Sequence, residues 1–192
     1  MSRKYKRVAV SLHPLPDDDI PHEEIRIILR GADDLIMTGG RALLARILKG
    51  SREKKILELE LDHSPAYGYF RDLTIEDITA RIDWLIVNDY LCIEYDYRLP
   101  LLIYRPRGWA IERETYANEM MGYIKMGLAS PATTPDIGWL NNKNREVLFL
   151  LLDHIEASQN PKYLPVLEAW ASDTSQRLAR RIHTVIGMLR SE

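Results

Sequence analysis

The sequence predicts a mostly helical α+β fold, in which several helices lead into one β-hairpin and a small helical unit follows. Two patterns support this prediction. Apolar residues recur at helical spacing over most of the chain, and they alternate with polar residues over 90–105. Hydrophobic residues make up 46% and charged residues 28% of the chain, so the composition is that of an ordinary globular protein. Helices followed by a hairpin are the element order of a winged helix.

The chain is expected to begin with a short strand over residues 5–13, where apolar and polar side chains alternate. A first helix follows over roughly 21–37, with acidic residues in its first turn, where the helix dipole favours them. The second helix ends at Gly50, because a glycine commonly terminates a helix. Ser51 can then serve as the N-cap of a third helix.

The fourth helix has the clearest start. Thr74 and Asp77 form a capping-box pattern, and an apolar stripe runs from there to Asn88-Asp89. Two strands joined by a turn at Tyr97–Pro100 make the hairpin over 90–105. A fifth helix is expected from about Trp109 to Met126.

Residues 127–138 are small, polar and proline-bearing, which is typical of a linker. They divide the chain into a domain over 1–126 and a helical unit over 139–192. Three helices are predicted in this unit, over about 141–157, 163–171 and 174–190. The unit resembles one repeat of a HEAT-like array, and its apolar face should dock within the chain or, less favoured, on a partner.

Composition also limits the compartment and the cofactors. Cys92 is the one cysteine, so neither an intramolecular disulfide nor a cysteine-rich zinc site can form within the chain. The sequence has no secretory signal pattern, and its longest apolar run, Val147–Leu152, is too short to span a bilayer. We therefore expect a cytoplasmic protein with no cofactor and no membrane partner.

Four segments in order resemble the C-terminal domain of RecQ helicases. LLARILKGSREKK (43–55) is similar to that family's helix ending before a basic helix start, and SPAYGYF (64–70) to its Tyr/Phe-Gly loop. ITARIDWLIVNDYLCIEY (78–95) resembles its long helix and first wing strand, and LLIYRPRGW (101–109) its second strand. The resemblance over residues 40–110 implies a DNA-binding winged helix. Lacking a helicase core and a four-cysteine platform, the chain is most similar to the short stand-alone "minor" branch of the family.

The segment from Arg41 to Lys55 has a local charge of +5 in a chain whose net charge is −2. A helix starting at Ser51 would carry cations in its first turns, where the dipole disfavours them. A phosphate would reverse that penalty by accepting hydrogen bonds from the amides, the hydroxyl and the cations. A solvated basic face is the alternative interpretation. The predicted DNA contacts here are Arg41, Lys49, Ser51, Arg52, Lys54 and Lys55.

The hairpin supplies a second candidate contact. Tyr97 at the tip could stack on a terminal base pair while Arg98 pairs with phosphate. A tyrosine packed over the hairpin is an equally good interpretation, and Pro100 stiffens a short turn. Arg105 and Arg107 at the exit of the wing are further candidate phosphate contacts.

Patterns for catalysis are weak. Lys49-Gly50-Ser51 has the residue types of a phosphate loop in the wrong order, which argues against ATP hydrolysis. Asp62-His63-Ser64 names three triad residue types, but sequence neighbours rarely form a triad. The sequence thus predicts that the protein is not an enzyme.

The leading hypothesis is a protein that binds duplex ends or junctions in DNA repair or defence, with a separately encoded helicase or nuclease as a further partner. Two alternatives stay open. A transcriptional regulator would read bases with the fourth helix, but that helix is mostly acidic there. An adaptor without DNA binding would suit the negative net charge.

Overall fold

The structure, a computed structural model, describes residues 7–14, 19–129 and 137–191. The chain divides into two compact units, Met1–Glu112 and Arg113–Glu192. The linker expected at 127–138 stays a prediction, because residues 130–136 lie outside the described part. Residues 127–129, which the prediction assigned to the linker, are still helical.

The described part of the first unit contains helices followed by a two-stranded antiparallel hairpin, which confirms the winged-helix-like α+β fold. The long helix that follows the hairpin begins in this unit and continues into the second. The elements are α1 His22–Asp33, α2 Arg41–Lys49, α3 Lys54–Glu58, a 3-10 helix Leu61–His63, α4 Ile75–Val87, β1 Leu91–Asp96, β2 Leu99–Tyr104 and α5 Pro106–Ala129.

The core of the first unit forms where the apolar faces of α1, α2 and α4 meet the inner side of the hairpin. Ile28, Leu44, Ile78 and Leu102 are fully buried in it. This arrangement follows from the sequence, because helical spacing of apolar residues leaves each helix with one face to bury. The core therefore holds the hairpin against the helices.

The capping box predicted for α4 is present. The Thr74 side chain accepts a hydrogen bond from the Asp77 amide at 3.1 Å, and the Asp77 carboxylate accepts one from the Thr74 amide at 3.3 Å. Hydrogen bonds from Thr74 lower the pKa of Asp77, with a smaller contribution from the Arg81 charge. The sequence pattern thus located the start of α4 correctly.

The hairpin pairs Leu91 with Tyr104 at its base and Asp96 with Leu99 at its tip. The outer edge of β2 also bonds to the loop after α1. The Met37 amide donates to the Leu102 carbonyl at 3.1 Å, and the Leu102 amide donates to the Gly39 carbonyl at 2.9 Å. The wing is therefore fastened near its base along the outer edge of β2.

Two expectations for the N-terminal region are wrong. The described residues 7–13 form no strand, and α1 ends at Asp33 rather than near residue 37. The segment 7–14 instead lies along the wing, where the Val8 amide donates to the Arg98 carbonyl at 3.2 Å. The Tyr95 hydroxyl donates to the Val8 carbonyl at 2.9 Å. Alternation alone could not distinguish such a bound segment from a strand.

The second unit is helical in its described residues. Leu151, Trp170 and Ile182 are buried at its centre, one from each of its last three α-helices. None of the helices in the described ranges combines the length and apolarity that crossing a bilayer requires. After α5, the elements are a 3-10 helix Gly138–Leu140, α6 Arg145–Ala157, a 3-10 helix Pro161–Tyr163, α7 Leu164–Ser172 and α8 Gln176–Leu189.

Candidate nucleic-acid interface

The basic loop, residues 50–55, starts from a Schellman motif at the end of α2. Gly50 is left-handed, with φ of 76°, and its amide donates to the Ile47 carbonyl at 2.9 Å. The Ser51 amide donates to the Arg46 carbonyl, also at 2.9 Å. Glycine is favoured at this position because it adopts positive φ without steric cost.

The Tyr-Gly segment docks on the same helix end. The Gly68 amide donates to the Ile47 carbonyl at 2.9 Å, and the Phe70 amide donates to the Leu48 carbonyl at 2.8 Å. A Cβ on Gly50 would lie 3.0 Å from the Gly68 Cα, so the two glycines allow the backbones to touch. The two sequence motifs that looked separate are therefore one structural unit.

Ser51 does not cap a helix, which corrects the sequence prediction. The helix α3 begins at Lys54, has Glu53 as its N-cap and is only five residues long. Ser51 completes the cap of α2, and its hydroxyl accepts a hydrogen bond from the Glu53 amide at 3.2 Å. The dipole of α3 therefore does not favour a phosphate at Ser51, since the first turn of α3 lies beyond that residue.

Two of the predicted DNA contacts are engaged within the domain. Arg41 Nη1 lies 2.5 and 2.6 Å from the two carboxylate oxygens of Asp83, and Arg41 Nη2 donates to the Ser11 carbonyl at 2.9 Å. Lys49 Nζ donates to the carbonyls of Arg71 and Leu73, each at 2.6 Å. Both side chains hold loops in place and use their hydrogen bonds within the domain instead of offering them to phosphate.

The three cations of the basic loop itself face solvent. Arg52 and Lys55 are exposed, and Lys54 makes an exposed ion pair with Glu58 at 3.3 Å. Exposed pairs of this kind contribute little to stability, and a phosphate can compete for such a lysine. The structure therefore leaves Arg52, Lys54 and Lys55 accessible at the surface of the loop.

A groove of about 340 Å³ lies between α2, the N-terminal segment 8–10 and the wing, and Lys55 is the residue of the basic loop that lines it. Lys55 and Arg46 line it from the helical side, and Ile93 and Pro100 line it from the hairpin. Arg46 was not among the predicted contacts. In the sequence, only its place in the segment of +5 charge indicated that Arg46 could contact DNA. The spacing of apolar residues did not show that Arg46 faces the wing.

The tip of the wing is a two-residue turn made of Tyr97 and Arg98. Tyr97 is 79% exposed and adopts a left-handed conformation, with φ of 50°. This conformation is uncommon for a bulky residue and tends to mark functional or strained positions. The alternative interpretation, a tyrosine packed over the hairpin, does not fit this exposure. Leu99, also at the tip, is 60% exposed.

The arginines at the exit of the wing differ from each other. Arg105 makes an exposed pair with Asp89 at 4.0 Å. The Arg107 guanidinium lies 4.0 Å from the centre of the Tyr90 ring and donates to the Asn88 carbonyl at 3.1 Å. Arg107 therefore fastens the start of α5 to the turn before β1, and Arg105 is the better candidate for phosphate.

The outer surface of α4 offers little for reading bases. Among the polar residues of α4, Thr79 is buried and donates its hydroxyl hydrogen to the Ile75 carbonyl at 2.7 Å. Asp83 is fully buried, and Asp77 is used in the capping box. Glu76 is exposed but acidic, and a carboxylate repels the phosphates that flank the bases.

Helices that lead into a two-stranded wing with an exposed aromatic tip and a basic loop define a winged-helix-like domain. The family model of the RQC domain matches residues 22–120, which is more than half of the chain, and the chain therefore belongs to this family. The match begins with the first residue of α1 and ends within α5. RQC domains are DNA-binding winged helices. No curated protein matches the chain, and no solved structure matches it either.

Proposed function

We propose that this protein binds DNA without acting on it chemically, and that it recognises duplex ends or junctions by phosphate and shape contacts. The observation that carries the proposal is the exposed ring of Tyr97 at the wing tip. An aromatic ring can stack on an exposed terminal base pair, and such stacking contributes about 1–3 kcal/mol per base. Internal base pairs are already stacked on both sides and offer no such face.

The phosphate contacts in this proposal come from Arg52, Lys54 and Lys55 of the basic loop, with Arg98 and Arg105 on the wing. Support comes from the groove that places Lys55 beside the hairpin, so one phosphate backbone could pass both elements. Arg46 joins this set at the groove, where its ion pair with the exposed Glu53 is 3.1 Å long. A local basic surface is what a chain with a net charge of −2 needs to hold DNA.

We also propose that the protein belongs to the stand-alone branch of its family and works beside a separately encoded helicase or nuclease. The support is chemical, because the Lys49-Gly50-Ser51 order does not make a phosphate loop and Lys49 is committed to two backbone carbonyls. In this proposal, the ATP-driven step on DNA belongs to the separate helicase.

The test compares two sets of variants on blunt duplex, forked duplex, single strands and covalently closed circular duplex, which has no ends. Tyr97→Ala should weaken binding to forks and blunt ends and spare internal duplex. Leu99→Ala is the matched control, because it removes another exposed apolar side chain from the same tip. Arg52→Ala with Lys55→Ala should weaken binding to every duplex alike and reduce the salt slope by about one for each phosphate that is no longer bound.

Four results would contradict the proposal. Unchanged affinity for the double variant would remove the basic loop from the interface, and equal decreases on all DNA forms from Tyr97→Ala would make that tyrosine structural. Absence of binding to any DNA would favour the adaptor, which the negative net charge supports. Strong dependence on base sequence would favour the regulator instead.

A further inference from the structure

The last helix of the second unit, α8, carries an unbalanced charge. It contains three arginines and no acidic residue among its 14 positions. Its inner face is apolar, with Leu178, Ile182 and Val185 buried in the unit. Its exposed positions are Gln176, Arg177, Arg180, His183, Thr184, Gly187 and Met188. The outward face of the helix therefore carries only positive formal charge.

Three acids of the neighbouring helices, Asp153, Glu156 and Glu168, pair with other arginines and so do not neutralise this face. Arg181 Nη2 lies 2.6 Å from Asp153 Oδ1 on α6 and also contacts Glu156. Just beyond the end of α8, Arg190 Nη2 lies 2.5 Å from Glu168 Oε1 on α7. These pairs hold α8 to the unit, and none of them involves the exposed Arg177 or Arg180.

Arg177 and Arg180 form no ion pair with any residue that the structure describes. They are three positions apart, so they lie on one face about 4.5 Å apart along the helix axis. Arg177 also lies in the first turn, where the dipole disfavours a cation. Arg177 thus goes against a local rule of helix stability without a structural gain, and such residues tend to be functional.

We infer that Arg177 and Arg180 form a second contact to the DNA backbone, separate from the winged helix. This inference rests on the proposed function, since the first unit supplies the primary DNA contacts. Charge complementarity supports it, and a guanidinium matches a phosphate with two parallel hydrogen bonds. The contact is electrostatic and carries no preference for base sequence.

The test measures duplex affinity against salt concentration, with duplexes long enough to extend beyond the winged helix. Arg177→Ala with Arg180→Ala should lower the slope of log affinity against log salt by about 1.8, from about 0.9 for each phosphate that is no longer neutralised. Lys125→Ala with Lys162→Ala is the charge-matched control, since it removes two exposed lysines of the same unit. Arg177→Lys with Arg180→Lys should retain most of the slope. Far-ultraviolet circular dichroism verifies that α8 stays folded.

The outcomes separate this inference from the proposed function. If the native protein binds no DNA, the proposed function fails and the inference fails with it. If the native protein binds DNA but the arginine variant has the same slope as its lysine control, only the inference is overturned. A variant that keeps its DNA slope but no longer binds polyglutamate would assign the face to an acidic protein partner and would also overturn the inference.

Discussion

Replacing Arg41 by methionine should destabilise the first unit strongly, because Arg41 neutralises a buried carboxylate. Asp83 is 0% exposed, and Arg41 Nη1 lies 2.5 Å from one of its oxygens and 2.6 Å from the other. Removing one partner of a buried ion pair costs about 3–5 kcal/mol, since the remaining charge stays buried. The His13 amide continues to donate to Asp83 at 2.7 Å, so we expect a decrease near the lower end, about 3 kcal/mol.

Urea unfolding at equilibrium measures this decrease as a lower midpoint at unchanged m-value. The control is Arg46→Met, which changes the same residue type in the same helix. Arg46 is 43% exposed and its pair with Glu53 is at the surface, so the control should destabilise by less than about 1 kcal/mol. Adding Asp83→Ala to Arg41→Met should cost less than the sum of the single changes, because no unpaired charge would remain.

Equal and small decreases from Arg41→Met and Arg46→Met would refute this reasoning. The same variants also test the sequence prediction that Arg41 contacts DNA. Under conditions where Arg41→Met stays folded, its salt slope for duplex binding should equal that of the native protein. A reduced slope at unchanged stability would return Arg41 to the interface.

The other predictions concern binding, catalysis and pH. Duplex affinity of the native protein should fall steeply between about 50 and 200 mM salt through counterion release, and a salt-independent affinity in titrations would contradict phosphate contacts. The purified protein should not hydrolyse ATP with or without DNA, and turnover that a substitution within the chain abolishes would show the opposite. Thr74→Ala should lower the free energy of unfolding by about 1 kcal/mol because it removes the N-cap of α4, and urea unfolding measures this decrease. Hydrogen bonds from Thr74 are the main cause of the lowered pKa of Asp77 in the folded protein. The stabilisation of the fold by ionised Asp77 is therefore complete above the ordinary carboxyl pKa of about 4, and it disappears as the pH falls through the lower pKa of the folded state. The gap between Thr74→Ala and native protein should therefore narrow in acid, and a gap that widens would reject this assignment.

The sequence by itself determined the elements whose cause is local. The spacing of apolar residues, together with Thr74 and Asp77, predicts α4 and its first residue, and alternation predicts the two strands of the wing. Gly50 marks the end of α2, because the left-handed backbone of a helix C-cap is a local requirement that glycine meets. Four sequence segments in order carried the resemblance to the RecQ C-terminal domain, and the match over residues 22–120 confirms the family.

Only the tertiary structure decided which cations of the +5 segment are accessible to DNA. Arg41 and Arg52 look alike in the sequence, but Arg41 meets Asp83, a residue 42 positions away. Lys49 similarly meets carbonyls that lie 22 and 24 positions further on. The start of α3 was also misplaced, because Ser51 is held in the cap of α2 and by Tyr67, whose hydroxyl donates to the Ser51 carbonyl at 3.0 Å. Periodicity records which face of an element is buried, whereas the partner of a charge depends on how distant elements pack, and that information is not local.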